Sequence, residues 1–301
     1  MCGGLPERAK VAVKSDNWFK DVPRAPCGRR TKGEAGDEIL PIFKYLATLT
    51  KSSPLREFFV SKIQCANDSP MINEKINSKI LSVWKKHFGA SDKVYAPIFY
   101  DDFKTGGILF IGMNPSFNPR GIRKIMRGTE FEKMDPETFY NWRTAAQDSA
   151  HVDDSIRFGR LVHDGYAFFK RMHEIAKECK THFQHIDLFV YRQTKQKEFL
   201  RLVRDKKRAL NALGSDQLDI FLEALKEICP AVIVVSNAGS CGIIREYFKD
   251  RLSFDDERGF HWLKLDGTRV PIFFSSMLSG QRALDTGSYE RLVWHIKQAV
   301  K

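Results

Sequence analysis

The segment best suited to chemistry follows a short apolar run and reads Gly-Met-Asn-Pro-Ser-Phe-Asn-Pro, from Gly112 to Pro119. It lacks the Gly-Lys-Ser/Thr ending of a phosphate-binding P-loop, and its glycine spacing does not fit a dinucleotide fingerprint. It offers instead the side-chain amide of Asn114, on a backbone that Pro115 restricts locally. Because Asn and Pro are also common turn residues, Asn114 could simply cap a turn.

Histidines and cysteines, the usual ligands of transition metals, show no metal-binding pattern here. Five histidines fall in one stretch of the chain, at His151, His163, His173, His182 and His185. They include no H-x-x-x-H pair with a nearby carboxylate motif. The six cysteines include no C-x-x-C pair, which indicates reduced thiols and argues against an iron–sulfur cluster. The sequence therefore predicts a site without metal or cofactor.

The elements that must position these residues can be read from the apolar pattern. Strands are predicted at 107–112, 185–190 and 231–236, and in a hairpin around Asp266-Gly267. Amphipathic helices are predicted at 166–180, 215–228, 240–250 and 286–300. Buried strands alternating with helices predict an α/β protein, a three-layer α/β/α fold around a central, mostly parallel four-stranded sheet.

The chain of 301 residues divides by composition into three parts. Residues 1–36 form a basic tail containing Gly and Pro, and 37–95 show helical periodicity typical of N-terminal helices packed on the core. Residues 96–301 hold the α/β domain, which carries a long insertion at about 119–164.

Charge and hydropathy limit the class of protein. Lys and Arg number 49 against 37 Asp and Glu, a formal excess of +12 that favours a polyanionic partner such as a nucleic acid. A solvated basic surface would explain the charge equally well. The sequence has no apolar run of membrane-spanning length and no secretory pattern at its start. We expect an intracellular monomer without membrane contact, in the cytoplasm or nucleoid, or in a eukaryotic nucleus.

In parallel sheets, ligands bind beyond the carboxyl ends of the strands, so the segments after each strand are of most interest. The run Leu109 to Asn118, LFIGMNPSFN, resembles the first motif of the uracil-DNA glycosylase superfamily, in its Gly-x-Asn-Pro form. After the last strand, the run Phe274 to Arg282, FSSMLSGQR, is similar to the second motif of that superfamily. Both motifs occur in the expected order, and the resemblance extends over about 107–301.

The resemblance implies a DNA glycosylase of base-excision repair, which flips a damaged or deaminated base out of DNA and hydrolyses its N-glycosidic bond. Asn114 would then hold the attacking water. Ser275 or Ser276 would serve as a catalytic hydroxyl in place of the missing donor or, alternatively, bind DNA phosphates. Contacts to the base are implied for Gly112, Met113, Ser116, Phe117, Phe158, Asp187 and Phe274. Phe117 and Phe158 are the candidates to stack on the base, with packing in the core as the alternative for each. Contacts to DNA are implied for Met277, Leu278, Ser279 and Arg282, with Leu278 as an apolar wedge or, alternatively, a loop-packing residue.

Two positions depart from the family pattern. Phe274 replaces the catalytic His or Asn, and a Phe has no donor for the departing base, a loss of about 3–4 kcal/mol of transition-state stabilisation. Asp187 stands where the family has an Asn that reads the base. An ionised carboxylate only accepts hydrogen bonds, so it would favour a base with an exocyclic amine over uracil. Asp187 could equally be a turn residue or the partner of a Lys.

Three functions follow from these features. The first is an active glycosylase, and the second is a relative that binds nucleic acid and has lost turnover, as Phe274 suggests. The third is a small-molecule α/β hydrolase whose positive charge is incidental. Strand breaks at modified bases would identify the first, DNA binding without breaks the second, and absence of DNA binding the third.

Overall fold

The structure is a computed structural model, and it describes residues 73–148 and 150–300. The predicted basic tail at 1–36, and the predicted N-terminal helices before residue 73, lie outside the described residues.

The described part of the chain alternates between strands and helices. The strands are β1 (Ile108–Gly112), β2 (Phe183–Asp187), β3 (Val232–Val235), β4 (Leu252–Asp255), β5 (Phe260–Leu265) and β6 (Thr268–Phe274). The helices are α1 (Glu74–Phe88), α2 (Pro119–Met126), α3 (Pro136–Phe139), α4 (Trp142–Ala145), α5 (His151–Gly165), α6 (Lys170–Glu178), α7 (Gln196–Val203), α8 (Ala212–Ile228), α9 (Ala238–Tyr247) and α10 (Thr286–Ala299). Short 3₁₀ helices occupy Ala167–Phe169 and Lys249–Arg251.

The sheet has six strands in the order β2-β1-β3-β6-β5-β4. The first four are parallel, whereas β5 pairs antiparallel with β6, and β4 antiparallel with β5. The α/β class is confirmed, but the expected four-stranded sheet is wrong in strand number. The hairpin at Asp266-Gly267 adds β5 to the parallel strands. The turn that precedes β5 then places β4 beside it. β4 is short, half-buried to exposed, and has no apolar run.

Helices cover both faces of this sheet. Along β1, Leu109 and Ile111 face a core shared with α1 and α8, whereas Ile108 and Phe110 face a second core shared with α6 and α10. All five residues of β1 are buried, as expected for a parallel strand between two helical layers. The carboxyl ends of β1, β2, β3 and β6 consequently meet at one edge of the sheet.

The insertion at 119–164 forms α2 to α5 and has a small aromatic core of its own. Its buried members are Phe117, Met126, Phe131, Phe139, Tyr140 and Phe158. Asp135 caps α3, with Pro136 in its first turn, because its carboxylate accepts the backbone N–H of Thr138. The insertion is therefore a folded layer.

β2 is the outermost strand on one side of the sheet, and the segment 98–104 is bound to β2 and to the residues that follow it. Oε1 of Gln184 accepts the backbone N–H of Lys104 at 3.1 Å, and its Nε2 donates to the Lys104 carbonyl. The backbone N–H of Ile98 donates to the carbonyl of Val190 at 3.1 Å, just beyond the strand. Among the described helices, none has the length and apolar character needed to span a membrane.

Candidate functional site

The loop after β1 holds the amide of Asn114 in a fixed orientation. Nδ2 donates to the carbonyls of Gln193 at 2.7 Å, Tyr191 at 3.2 Å and Pro115 at 3.3 Å. Since these acceptors occupy the nitrogen, Oδ1 is the end of the amide that can accept a hydrogen bond from a small molecule. Asn114 thus joins the segments after β1 and β2, which is more than a local turn cap would do.

A second pair of hydrogen bonds joins the same two segments. The Phe117 N–H donates to Oγ1 of Thr194 at 3.1 Å, and that hydroxyl donates to the Phe117 carbonyl at 2.6 Å. The backbone N–H of Phe117 is therefore used within the fold. Ser116 beside it is exposed.

The turn after β3 packs against both segments. Oδ1 of Asn237 caps α9 by accepting the N–H groups of Gly239 and Ser240, and it also accepts Nε2 of Gln196 at 3.0 Å. A Cβ on Gly239 would lie 2.7 Å from Nε2 of Gln196 and would collide with the side chain of Met113. Gly239 therefore lies in close contact with the side chains of Gln196 and Met113, and Met113 is buried.

Beyond these contacts, an open cleft of about 1380 Å³ lies between the segment 194–208, which contains α7, and the loop after β6. Its basic lining residues are Lys195, Lys197, Arg201, Arg204, Lys206, Arg208 and Arg282. Its acidic lining residues are Glu198 and Asp205, so the cleft is strongly positive. A cleft with this excess of cations attracts polyanions.

The loop after β6 contributes one wall of this cleft. Met277 and Arg282 line it, and the loop is closed by hydrogen bonds from the Leu284 N–H to the Met277 carbonyl and from the Ala283 N–H to the Gly280 carbonyl. The segment 194–196 lines the same cleft and binds the loop of Asn114. The two predicted motifs therefore lie at the same edge of the sheet, on either side of that segment.

Ser275 begins this loop, and its hydroxyl is an unusual feature. The Ser275 N–H donates to the carbonyl of Val235 at 2.9 Å, and the Ser275 carbonyl accepts Sγ of Cys241 at 3.3 Å. Its Oγ is buried and has no hydrogen-bond partner among the described residues. An unpaired buried hydroxyl is destabilising, and this atom is closed to solvent. Ser276 is half-buried.

Several predicted contact residues are instead part of the cores. Leu278 is only 1% exposed and packs in the core shared with α10, so the structure supports the loop-packing alternative rather than an apolar wedge. The hydroxyl of Ser279 donates to the Phe168 carbonyl at 3.3 Å. Phe158 is fully buried in the insertion, and Phe117 is buried with its ring 4.0 Å from that of Tyr95. Neither ring is placed to stack on an extruded base.

Phe274 is the last residue of β6 and is partly buried. Its ring lies under the guanidinium of Arg245 at 4.4 Å and meets the edge of His261 at 5.1 Å. Burial and Arg245 together lower the pKa of His261. His261 on β5 was not among the histidines that the sequence singled out, because its contact with Phe274 depends on the hairpin.

Asp187 is buried at the end of β2, paired with Gly112 of β1. Its Oδ1 lies against Gly112, where a Cβ would collide with it, and 3.9 Å from Nε2 of His185. Burial raises the pKa of Asp187 to about 7, although Arg192 opposes this, and burial with His163 lowers the pKa of His185 to about 3. Between these two pKa values, both groups are largely uncharged. The predicted ionised carboxylate facing a base is not what the geometry provides.

The basic residues from 195 to 208 are not among the predicted site residues, although the sequence shows an unusual density of Lys and Arg there. Seven of the fourteen residues of KQKEFLRLVRDKKR are Lys or Arg, a run that can mark a nucleic-acid contact. Its position beside the loop of Asn114 comes only from the fold.

No protein-family model matches the chain, and no curated protein matches it.

Proposed function

We propose that this protein binds DNA in the basic cleft and hydrolyses the N-glycosidic bond of a damaged or deaminated nucleotide extruded beside Asn114. The observation that carries the proposal is the junction at residues 193–196. There the amide of Asn114 is fixed against the segment that also forms the positive wall of the cleft. Within the six-stranded sheet, β2, β1, β3 and β6 are parallel to one another, and this arrangement supports the proposal.

The reaction passes through an oxocarbenium-like transition state, with positive charge on the sugar and negative charge on the leaving base. Oδ1 of Asn114 accepts a hydrogen bond from the attacking water and orients it. An amide is too weak a base to deprotonate that water, so stabilisation of the leaving base must contribute most of the rate. Phe274 has no donor for this purpose. In this proposal the hydroxyl of Ser275 donates in its place, which requires the loop to move, because this atom is closed to solvent.

DNA binding in this proposal depends on phosphate contacts. The cations of α7 and of the segment after it, with Arg282 opposite, neutralise the backbone and position the strand without reading its sequence. Met277, the apolar residue of the loop that lines the cleft, takes the position next to the nucleotide that Leu278 cannot reach from the core.

The test uses single-stranded and duplex oligonucleotides, each with one modified base, incubated with the full chain and then treated with alkali to break abasic sites. We expect strand breaks at one or more modified bases, reduced about a hundredfold by Asn114→Ala because the water loses its orienting group. Asn118→Ala is the matched control, since Asn118 caps α2 in the same segment, and it should retain most of the activity. Equal activity in the wild type and Asn114→Ala would refute the role of Asn114.

A second function is favoured by one specific observation, the position of Phe274 between Arg245 and His261. A chain without a strong donor at the leaving base would bind nucleic acid and not turn over. In that case the same oligonucleotides shift in a gel, with steep salt dependence, and no modified base gives strand breaks.

A further inference from the structure

A group of metal-ligating side chains lies away from the cleft, where α5 ends and α6 begins. His163 and Asp164 are in the last turn of α5, and His173 is in the first half of α6. Each of the three offers one ligand atom, and these atoms lie within 4.8 Å of one another. The sequence predicts no metal here, because it has no H-x-x-x-H pair with a nearby carboxylate motif. The two histidines are ten residues apart, and the turn between the helices brings them together.

Surrounding aromatic rings fix the position of the first imidazole. His163 stacks on Phe183 with ring centroids 4.9 Å apart and an interplanar angle of 25°, and it lies 4.7 Å from the ring of Phe169. Nδ1 of His163 is 3.6 Å from Oδ1 of Asp164. This histidine is therefore held in place with a carboxylate already beside it.

The second imidazole is turned toward the first. The ring of His173 lies 5.1 Å from that of His163 and meets the edge of Phe183 at 4.8 Å. Its Nε2 is 3.3 Å from the His163 carbonyl at the end of α5. His173 is exposed, and the side chain of Asp164 is 80% exposed, so both can move while His163 stays fixed.

We propose that His163, Asp164 and His173 bind a divalent transition-metal cation of the zinc class. Two imidazoles and one carboxylate are ligands typical of Zn²⁺ and its neighbours, whereas Mg²⁺ and Ca²⁺ prefer oxygen alone. Bonds of about 2.0–2.2 Å in a tetrahedral site place ligand atoms about 3.4 Å apart. Rotation of the exposed Asp164 and His173 side chains is enough to close the remaining gap, and water fills the fourth position.

A metal at this position would join α5 to α6 across the turn at Tyr166–Phe169. That turn supports the loop after β6, since the Phe168 carbonyl accepts the hydroxyl of Ser279. The bound ion would therefore stabilise the elements behind one wall of the cleft. This inference does not depend on the proposed glycosylase activity.

The test is calorimetric titration of the chelator-treated full chain with Zn²⁺, together with thermal unfolding. We expect one tight site per chain and a higher melting temperature with the metal. His173→Ala and Asp164→Asn should each weaken binding about tenfold or more, as loss of even outer-shell partners does. Asp164→Asn is nearly isosteric at an exposed position, so its metal-free melting temperature should equal that of the wild type. Unchanged affinity in both variants would overturn the proposal.

His87→Ala is the matched control, since His87 also lies beside a carboxylate, with its Nε2 2.6 Å from Oδ2 of Asp216 on α8. It should leave the affinity unchanged. Titration with Co²⁺ separates this site from the cysteines of the chain. A spectrum without a thiolate-to-cobalt charge-transfer band supports the proposal, whereas such a band, or no binding of either ion, refutes it.

Discussion

Asp187 and His185 show how two buried neighbours can have opposite effects on stability. The native state keeps Asp187 protonated up to about pH 7, so its contribution to the free energy of unfolding falls as the pH rises from about 4 to 7. The native state keeps His185 neutral down to about pH 3, so its contribution falls as the pH drops below about 6.5. The two contributions have opposite signs over the same pH range. They therefore largely cancel in the pH dependence of the wild-type free energy of unfolding.

Replacing one of the pair should reveal its effect. In Asp187→Asn, the free energy of unfolding relative to the wild type should increase as the pH rises from about 4 to 7, and then level off. The total change should be a few kcal/mol, since one unit of pKa shift corresponds to about 1.4 kcal/mol. Urea denaturation at a series of pH values measures it. Asp219→Asn, at an exposed position of α8, controls for the change of charge. Parallel profiles for Asp187→Asn and the wild type would contradict the assignment.

At the same scale, sequence reasoning located residues better than it oriented them. Asn114 follows β1 as predicted, because an apolar run marks that buried strand. Asp187 is the last residue of β2, three residues before the predicted end of that strand at 190. Leu278 and Phe158, the candidates for contact with DNA and with the base, are both buried, since an apolar side chain near a motif packs wherever distant helices leave room. The bond between Phe117 and Thr194 spans 77 residues, and no local pattern encodes such a pairing.

At the scale of the elements, β1 approaches the side chain of Asp187 on β2 closely because Gly112 has no side chain. In Gly112→Ala, the new Cβ would collide with Oδ1 of Asp187 and lie 3.0 Å from Nε2 of His185, so we expect a loss of about 1–3 kcal/mol of stability. Gly159→Ala, inside α5 with no atom within 4 Å of the added Cβ, should instead gain about 0.5–1 kcal/mol.

Thermal unfolding of both glycine variants checks this expectation, and a double variant gives a sharper result. Adding Asp187→Ala to Gly112→Ala removes the colliding carboxyl and should restore part of the stability. Additive effects in the double variant would indicate that the collision is not the cause.

The sheet itself was predictable to a definite limit. β1, β3 and the hairpin follow from apolar runs and the Asp-Gly turn. The second strand was predicted at 185–190 but occupies Phe183–Asp187, where the first three residues are only half-buried. β4 has no such run, because an edge strand outside the parallel core needs no buried side chains, so its place in the sheet comes from pairing with β5 alone.

At the scale of the whole molecule, we expect DNA binding to depend on where the basic residues lie and not on the net charge alone. If the basic cleft is the DNA-binding surface, affinity should fall steeply with salt. Lys197→Gln with Arg201→Gln should reduce the slope of log affinity against log salt by about 2, because each substitution removes one cation from a phosphate.

The control variant removes the same number of positive charges near the hairpin turn, at the end of the parallel strands opposite to the cleft. Lys226 is near the end of α8 and is paired with Asp266, and Lys264 is exposed on β5 near the hairpin turn. Lys226→Gln with Lys264→Gln should leave the slope nearly unchanged. An equal decrease in slope in the two double variants would mean that net charge, and not the cleft, governs binding.

The side chain of Gln184 has a consequence for the protein at high concentration. An unpaired sheet margin is a template on which a foreign chain can add a further strand and begin aggregation. Gln184 lies on the edge strand β2 and binds both the N–H and the carbonyl of Lys104. It therefore holds a segment of the same chain beside β2, where a foreign strand could otherwise add. We expect this pairing to reduce the tendency of the chain to associate with itself.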